Sequence, residues 1–306
     1  MYRLATLNNP KVRDLASSCF SANLIDDYHA LSGAPSQLQS CPLTLTESRL
    51  NWLHDLDRQP QALYDCLNEL SSTRLGLYFE KLWQFFIAQD PDLSLISHNL
   101  AIYNNKQTLG EFDLIYFCHQ RQQHIHLELA LKFYLWHPAA VIPTEPLSHW
   151  LGPNAVDRFD LKLNRLLNHQ TRLSKTEAGQ AALQQLNIDN IEAELALKGR
   201  LFYSSNHHQP QPPLSSSHLR GRWLHFKEFI KPQNTAYDWQ LLTRDNWISP
   251  PGTISTAMSH QWISKQLSIH FEKHRQSVML LRYCHHHQQT DCVFVTHNQW
   301  PLSKGQ

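Results

Sequence analysis

Three short segments carry the residue types that phosphate hydrolysis needs. Glu80 interrupts the apolar stretch Arg74-Leu-Gly-Leu-Tyr-Phe-Glu-Lys-Leu-Trp-Gln-Phe-Phe-Ile87, Asp113 lies in Gly110-Glu-Phe-Asp-Leu114, and Glu128 and Lys132 bound Glu128-Leu-Ala-Leu-Lys132. Carboxylates are the hard oxygen ligands that Mg²⁺ takes, and Mn²⁺ accepts the same set. Such an ion lowers the pKa of a bound water and screens a phosphate under attack. A lysine beside the pair then orients that water, or balances charge developing on the phosphorane. The chemistry requires that Asp113 and Glu128 converge next to Lys132.

The elements that must bring them together are legible as periods. Leu75, Tyr78, Phe79, Leu82, Phe85 and Phe86 recur at three- and four-residue spacing, which predicts a helix in the region Leu63 to Ile87 with Glu80 inside it. The period then falls to two. Strands are expected over His98 to Tyr103, Leu109 to Phe117 and His124 to Leu135, joined by turns at 104–107 and 119–123 into an antiparallel meander. On the third strand His126, Glu128, Ala130, Lys132 and Tyr134 share a face. Adjacent strands lie about 4.8 Å apart, so the carboxylates of Asp113 and Glu128 are expected within about 6 Å, with Glu80 and Lys132 facing the same cleft.

A helix is expected next, from Ala155 to Gln170, packing through Phe159, Leu163, Leu166 and Leu167. Its other side collects Arg158, Lys162, Arg165 and His169 at spacings of four, three and four. The chain holds 27 Lys and Arg against 26 Asp and Glu, a net charge of +1, so a local patch must supply any attraction to nucleic acid. This face is the candidate phosphate-contact surface, and its residues would position a backbone without reading its sequence.

The phrases Gly110-Glu-Phe-Asp-Leu114, Glu128-Leu-Ala-Leu-Lys-Phe-Tyr-Leu135, Trp150-Leu-Gly-Pro-Asn154, Asp157-Arg-Phe-Asp-Leu-Lys162, Gly199-Arg-Leu-Phe-Tyr203, His218-Leu-Arg-Gly-Arg-Trp223 and Trp247-Ile-Ser-Pro250 resemble the DUF1853 family over nearly the whole chain. From Arg74 to Gln170 the pattern also resembles the PD-(D/E)xK nuclease-like superfamily. That resemblance implies an α/β protein with a restriction-endonuclease-like core, a mixed central sheet flanked by helices, here with a C-terminal helical and hairpin extension. It implies Mg²⁺- or Mn²⁺-dependent phosphodiester hydrolysis of nucleic acid, or alternatively a catalytically inactive module that binds nucleic acid or protein. Asp113 and Glu128 match the metal ligands of strands two and three, the backbone carbonyl of Leu129 a further ligand, and Lys132 the lysine. Glu80 matches the helix acid, a further candidate ligand, and Gln170 the glutamine that some members carry there. In the superfamily the acid and the lysine stand two residues apart. Here they stand four apart, so their Cα atoms are separated by about 13 Å instead of about 7 Å, with small Ala130 leaving room for the lysine stem to lie back.

Around this core (62–205) the sequence predicts an N-terminal extension (1–61) and a C-terminal part (218–306). The extension has a helix around Val12 to Tyr28 and a loop with Gly33, Pro35 and Pro42. The core closes with a helix over Lys175 to Leu186 and a strand over Gly199 to Tyr203. A loop rich in His, Pro, Gln and Ser at 206–217 leads to a helix over Thr256 to Glu272 and a hairpin of Ser277 to Tyr283 and Asp291 to Thr296. With 42% hydrophobic and 10% aromatic residues the chain is no solvated coil. It has no apolar run long enough to cross a bilayer and no signal-peptide pattern, so a cytoplasmic protein is expected. The six cysteines form no CxxC pair and read as free thiols. The final hairpin is expected to bring Cys284 and Cys292 together beside His285-His-His287, yet the spacing meets no zinc pattern.

Overall fold

The computed structural model describes residues 6–28, 31, 38–104, 107–138, 145–204, 212–254 and 256–301. Gly33, Pro35, two residues of the 104–107 turn and the first half of the 206–217 loop lie outside them. In chain order the elements are α1 (Pro10–Phe20), β1 (Gln39–Ser40), α2 (Glu47–Arg58), α3 (Gln61–Asn68), α4 (Leu75–Gln89), β2 (Leu93–Asn104), β3 (Gln107–Cys118), β4 (Gln123–Trp136), β5 (Trp150–Leu151) and α5 (Phe159–Arg165). Then follow α6 (Glu177–Gln185), β6 (Glu192–Tyr203), β7 (Leu219–His225), α7 (Phe226–Phe229), β8 (Asp238–Leu241), α8 (His260–Lys273), β9 (Val278–Cys284) and β10 (Gln289–Thr296). The fold is mixed α/β. Among the described residues the ten strands form one mixed sheet, ordered β2-β3-β4-β6-β7-β10-β9-β8, with β1 on β6 and β5 on β4. None of the described helices is long and apolar enough to cross a membrane.

The chain divides into two compact units whose borders fall inside β4 and β6. The first comprises Met1–Lys132, Leu163–Gly199 and Pro212–His218. Three of its helices start where side chains satisfy the first amides: Asn9 accepts from Lys11 and Val12 in α1, Thr46 from Arg49 in α2, and Thr176 from Gly179 in α6. The expected N-terminal helix stops at Phe20, because Ser21 is extended. The helical region before the meander breaks into α3 and α4, and α4 buries Phe79, Leu82, Trp83 and Phe86. Phe20 meets Phe86 edge-on at 5.1 Å, and the Tyr78 hydroxyl donates to Asp14 at 2.8 Å, which fixes α1 against α4. β2, β3 and β4 pair antiparallel, while β6 is seven residues longer than its expected stretch and lies beside β4.

Gly199 is the tight point between those neighbours. Its φ is +134°, and a Cβ there would stand 1.7 Å from the Lys132 carbonyl oxygen and 2.7 Å from its carbon. Only glycine permits that approach of two backbones.

The second unit comprises Phe133–Lys162, Arg200–Gln211 and Leu219–Gln306. In it β10 lies parallel to β7 and antiparallel to β9. Phe202, Trp223, Met279 and Phe294 form one core cluster; Trp239, Ile263, Leu267, Phe271, Leu280, Val293 and Val295 form another that includes the buried side of α8. The β9–β10 register sets Cys284 opposite Gln289 and Cys292 opposite Leu281. The hairpin therefore does not set the two cysteines opposite each other, contrary to expectation; both are free thiols, as expected, and His285 contacts Asp238 at 3.0 Å.

Candidate functional site

The acidic residues meet where the sheet of the first unit is irregular. Between β3 and β4 the ladder runs from Cys118 opposite Gln123 to Leu114 opposite Leu127 and stops. The next step would set Asp113 against Glu128. There the Asp113 carboxylate takes over the ladder's role, accepting the Leu129 amide N–H at 2.8 Å. On the other side of β3 the pairing steps from His98 and Leu114 to Leu100 and Phe112, passing over Asn99, whose φ is +49°. Asparagine is among the few residues that enter this left-handed region readily.

Asn99 joins helix to sheet. Its amide donates to Glu80 of α4 at 3.2 Å and to Glu111 of β3 at 2.9 Å, while its carbonyl oxygen accepts from Gln84 at 2.9 Å. Burial pushes the Glu80 carboxyl above its ordinary pKa, and Glu111 adds to the rise against the opposing hydrogen bond from Asn99. Asp113 is raised well above the ordinary value, first by burial and then by the Glu128 charge; Glu80 contributes as well, while the Leu129 N–H and His126 oppose. The Asp113 carboxyl thus feels the charges of Glu128 and Glu80, whereas Glu80 itself feels Glu111.

Glu128 is wholly buried. Gln170 Nε2 donates to its Oε1, and its Oε2 lies 3.7 Å from His126 Nε2. His126 is equally buried, and among the described residues neither ring nitrogen has a hydrogen-bond partner. Burial pushes its pKa down to about 4, so the imidazole is neutral at pH 7; its ring stands edge-on to Phe112 at 4.5 Å. Lys132 is partly buried, four residues beyond Glu128 on β4.

The helix that carries Gln170 differs from its expected form. It begins at Phe159 and not at Ala155, because Ala155 has φ +58° and Gly152 N–H donates to the Asp157 carbonyl at 2.7 Å, closing a loop before it. It ends in one π turn, Leu166–Gln170, with the Thr171 amide reaching the Leu166 carbonyl at 3.0 Å and the Thr171 hydroxyl capping Leu166 and Leu167. π turns concentrate at functional positions. Arg158 precedes the helix and is held by both oxygens of Asp160, at 2.7 and 2.8 Å, so its charge is already balanced. Lys162 is partly buried; Arg165 and His169 are exposed, and the π turn offsets His169 from the spacing of a regular helix. On the expectation that this face contacts nucleic acid, Arg165→Ala should weaken that binding and lower its salt slope by about one, while Arg158→Ala leaves the slope unchanged. Fluorescent oligonucleotide titrations at several salt concentrations measure both, and equal slopes would remove this face from the interface.

Asn99, Glu111 and His126 are the site residues missing from the sequence reading. His126 was visible as a face-mate of Glu128 but had no assigned partner. Asn99 left only a weak trace, a turn-former inside a strand pattern.

Among the described residues no group of three or more His, Cys, Asp or Glu side chains could hold a metal ion. The donors nearest to that purpose are the Asp113–Glu128 pair, and Mg²⁺ is commonly held by one or two carboxylates with waters and phosphate completing its shell. Leu129 meets the pair through its amide N–H.

Fold and site together define a mixed α/β protein with a buried acid cluster at a break in its sheet. Residues 13–295 match the profile of DUF1853, a domain of unknown function, and the chain belongs to that family. No curated protein and no solved structure matches it.

Proposed function

We propose that the chain is a PD-(D/E)xK-type nuclease, cleaving phosphodiester bonds of DNA or RNA with Mg²⁺ or Mn²⁺ in the cytoplasm. The observation that carries this reading is the Asp113–Glu128 pair: Glu128 is wholly buried, Asp113 is partly so, and the Asp113 carboxyl is pushed up first by burial and then by the Glu128 charge. Like charges packed in this way take up either a proton or a cation. Asp113 and Glu128 would hold the metal, with the Leu129 carbonyl as a further oxygen. When bound, the ion supplies a water of lowered pKa and screens the phosphate. Gln170 holds one Glu128 oxygen in place, Asn99 holds Glu80 at the edge of the cluster, and Lys132 supplies positive charge from the same strand.

Glu128→Gln keeps the shape and removes the charge. Cleavage of labelled single- and double-stranded DNA and RNA should require added Mg²⁺ or Mn²⁺, stop with chelator, and fall about 100-fold or more in this variant. Calorimetric titration with Mn²⁺ should lose its binding heat in parallel. Cleavage indifferent to both chelator and Glu128→Gln would sink the reading. A second reading, a non-catalytic nucleic-acid- or protein-binding module, draws support from the internal donors that already occupy one oxygen of each carboxylate, Leu129 N–H and Gln170. It predicts binding without metal dependence and no product.

A further inference from the structure

A second basin lies in the other unit and involves none of the acidic cluster. It is an open cavity of about 380 Å³ between the C-terminal end of α8 and the turn after β10, walled by Lys273, His274, Arg275, His297, Asn298 and Gln299. We propose that this basin binds a phosphate group.

The lining is built from donors. Lysine and arginine side chains have no acceptor to offer. His297 has an acceptor on Nδ1, but that nitrogen takes the Gln299 amide N–H at 3.1 Å, so the neutral ring carries its proton on Nε2. Asn298 accepts the Lys227 amide N–H on Oδ1 at 2.7 Å and carries two donors on its NH₂. Two backbone N–H groups, one from within the turn and one from Lys227, thus occupy the His297 acceptor and one of the two lone pairs of Asn298 Oδ1. Glu272 is the single carboxylate in the wall, and it is exposed. Phe271 is buried and meets the His297 ring edge-on at 5.9 Å, giving the basin a fixed apolar side.

The negative end of the α8 dipole favours the cations gathered here and opposes an anion, so a bound anion must be held by the Lys273 and Arg275 charges and by the donors of the neighbouring turn, which the dipole does not explain. A tetrahedral oxyanion fits both facts, because its oxygens accept from several charged and neutral N–H groups at once. His297 reports on occupancy. Burial first, then Arg275 and His225, hold its pKa below the ordinary value, and an anion beside it opposes the effect of the Arg275 charge.

The test follows the His297 ring by NMR, at constant ionic strength, in the full chain. Inorganic phosphate should shift its resonances saturably and raise its pKa, whereas chloride should not. Lys273→Ala combined with His274→Ala, both exposed positions, should weaken the phosphate response by about tenfold, the scale of a charge-assisted hydrogen bond. Oligonucleotides with a 5′-phosphate and with a 5′-hydroxyl separate the sources: response to the first alone identifies a terminal phosphate, response to both a backbone diester, and response to inorganic phosphate alone a free ion. No saturable shift with any of these probes, the same shift with chloride, or an unchanged response in the double variant would overturn the proposal. The Asp113→Asn protein should respond like the wild type, so the outcome is separate from that of the nuclease reading.

Discussion

Asp113→Asn should melt at a higher temperature than the wild type at pH 8, with the difference closing as the pH falls. The Asp113 carboxyl has a raised pKa in the folded chain, through burial and the Glu128 charge, and an ordinary one when unfolded. Below the unfolded pKa both states hold the proton and the site costs nothing. As the pH climbs through the folded pKa, the native state must ionise a buried acid beside another, and stability is lost. Asparagine carries no such charge, and its side-chain oxygen can still accept the Leu129 N–H at the position of the bond that measures 2.8 Å. In a chain of this size each kcal/mol relieved raises the Tm by about 2 °C. Thermal melts of both proteins from pH 4 to pH 8 measure the gap. Saturating Mg²⁺ should narrow it by stabilising the wild type alone. A gap that is independent of pH would show that the Asp113 carboxyl has the same pKa in the folded and unfolded chain.

Gly199→Ala should have the largest effect on stability. A methyl group would meet the Lys132 carbonyl oxygen at 1.7 Å, the carbon at 2.7 Å and the nitrogen at 2.9 Å. All three are backbone atoms, so no side chain can turn away, and φ of +134° is itself strained for alanine. The cost should be about 3 kcal/mol or more, a fall in Tm of about 6 °C or more. Relief requires β6 to move off β4 at Lys132. Hydrogen exchange at the β4 amides around Lys132 should therefore rise more than in α2, which is remote in sequence and makes no pairing with either strand. A melting temperature within one degree of wild type would contradict the geometry.

The meander was legible because each strand keeps period two and each turn is polar; α4 was legible because its apolar residues keep a helical period. Glu80, Asp113 and Glu128 came to be named from residue types in order, and Gln170 from the superfamily resemblance. What the sequence did not carry is where regularity breaks. The stop in the β3–β4 ladder depends on a side chain replacing a backbone partner, and the step at Asn99 on one residue adopting a left-handed φ. Neither changes the hydrophobic pattern. The early start expected for α5 fails for the same reason, since residues 155–158 have helical composition but are spent on the loop closed by Gly152 and Asp157. That Asp157 or Asp160 could pair with the cationic face was legible from their nearness in sequence; the fork of Arg158 onto Asp160 shows which pair forms.

The π turn at Leu166–Gln170 ties a residue's identity to the length of the chain. Such a turn holds one residue more than an α-turn. Removing one residue there would let the helix rewind to its ordinary pitch and carry every later position about 100° round the axis. Gln170 would then leave Glu128, although no residue of the acidic cluster had changed. Within the family, the glutamine and the extra residue should therefore be inherited as a single character: lineages that lose one gain nothing by keeping the other.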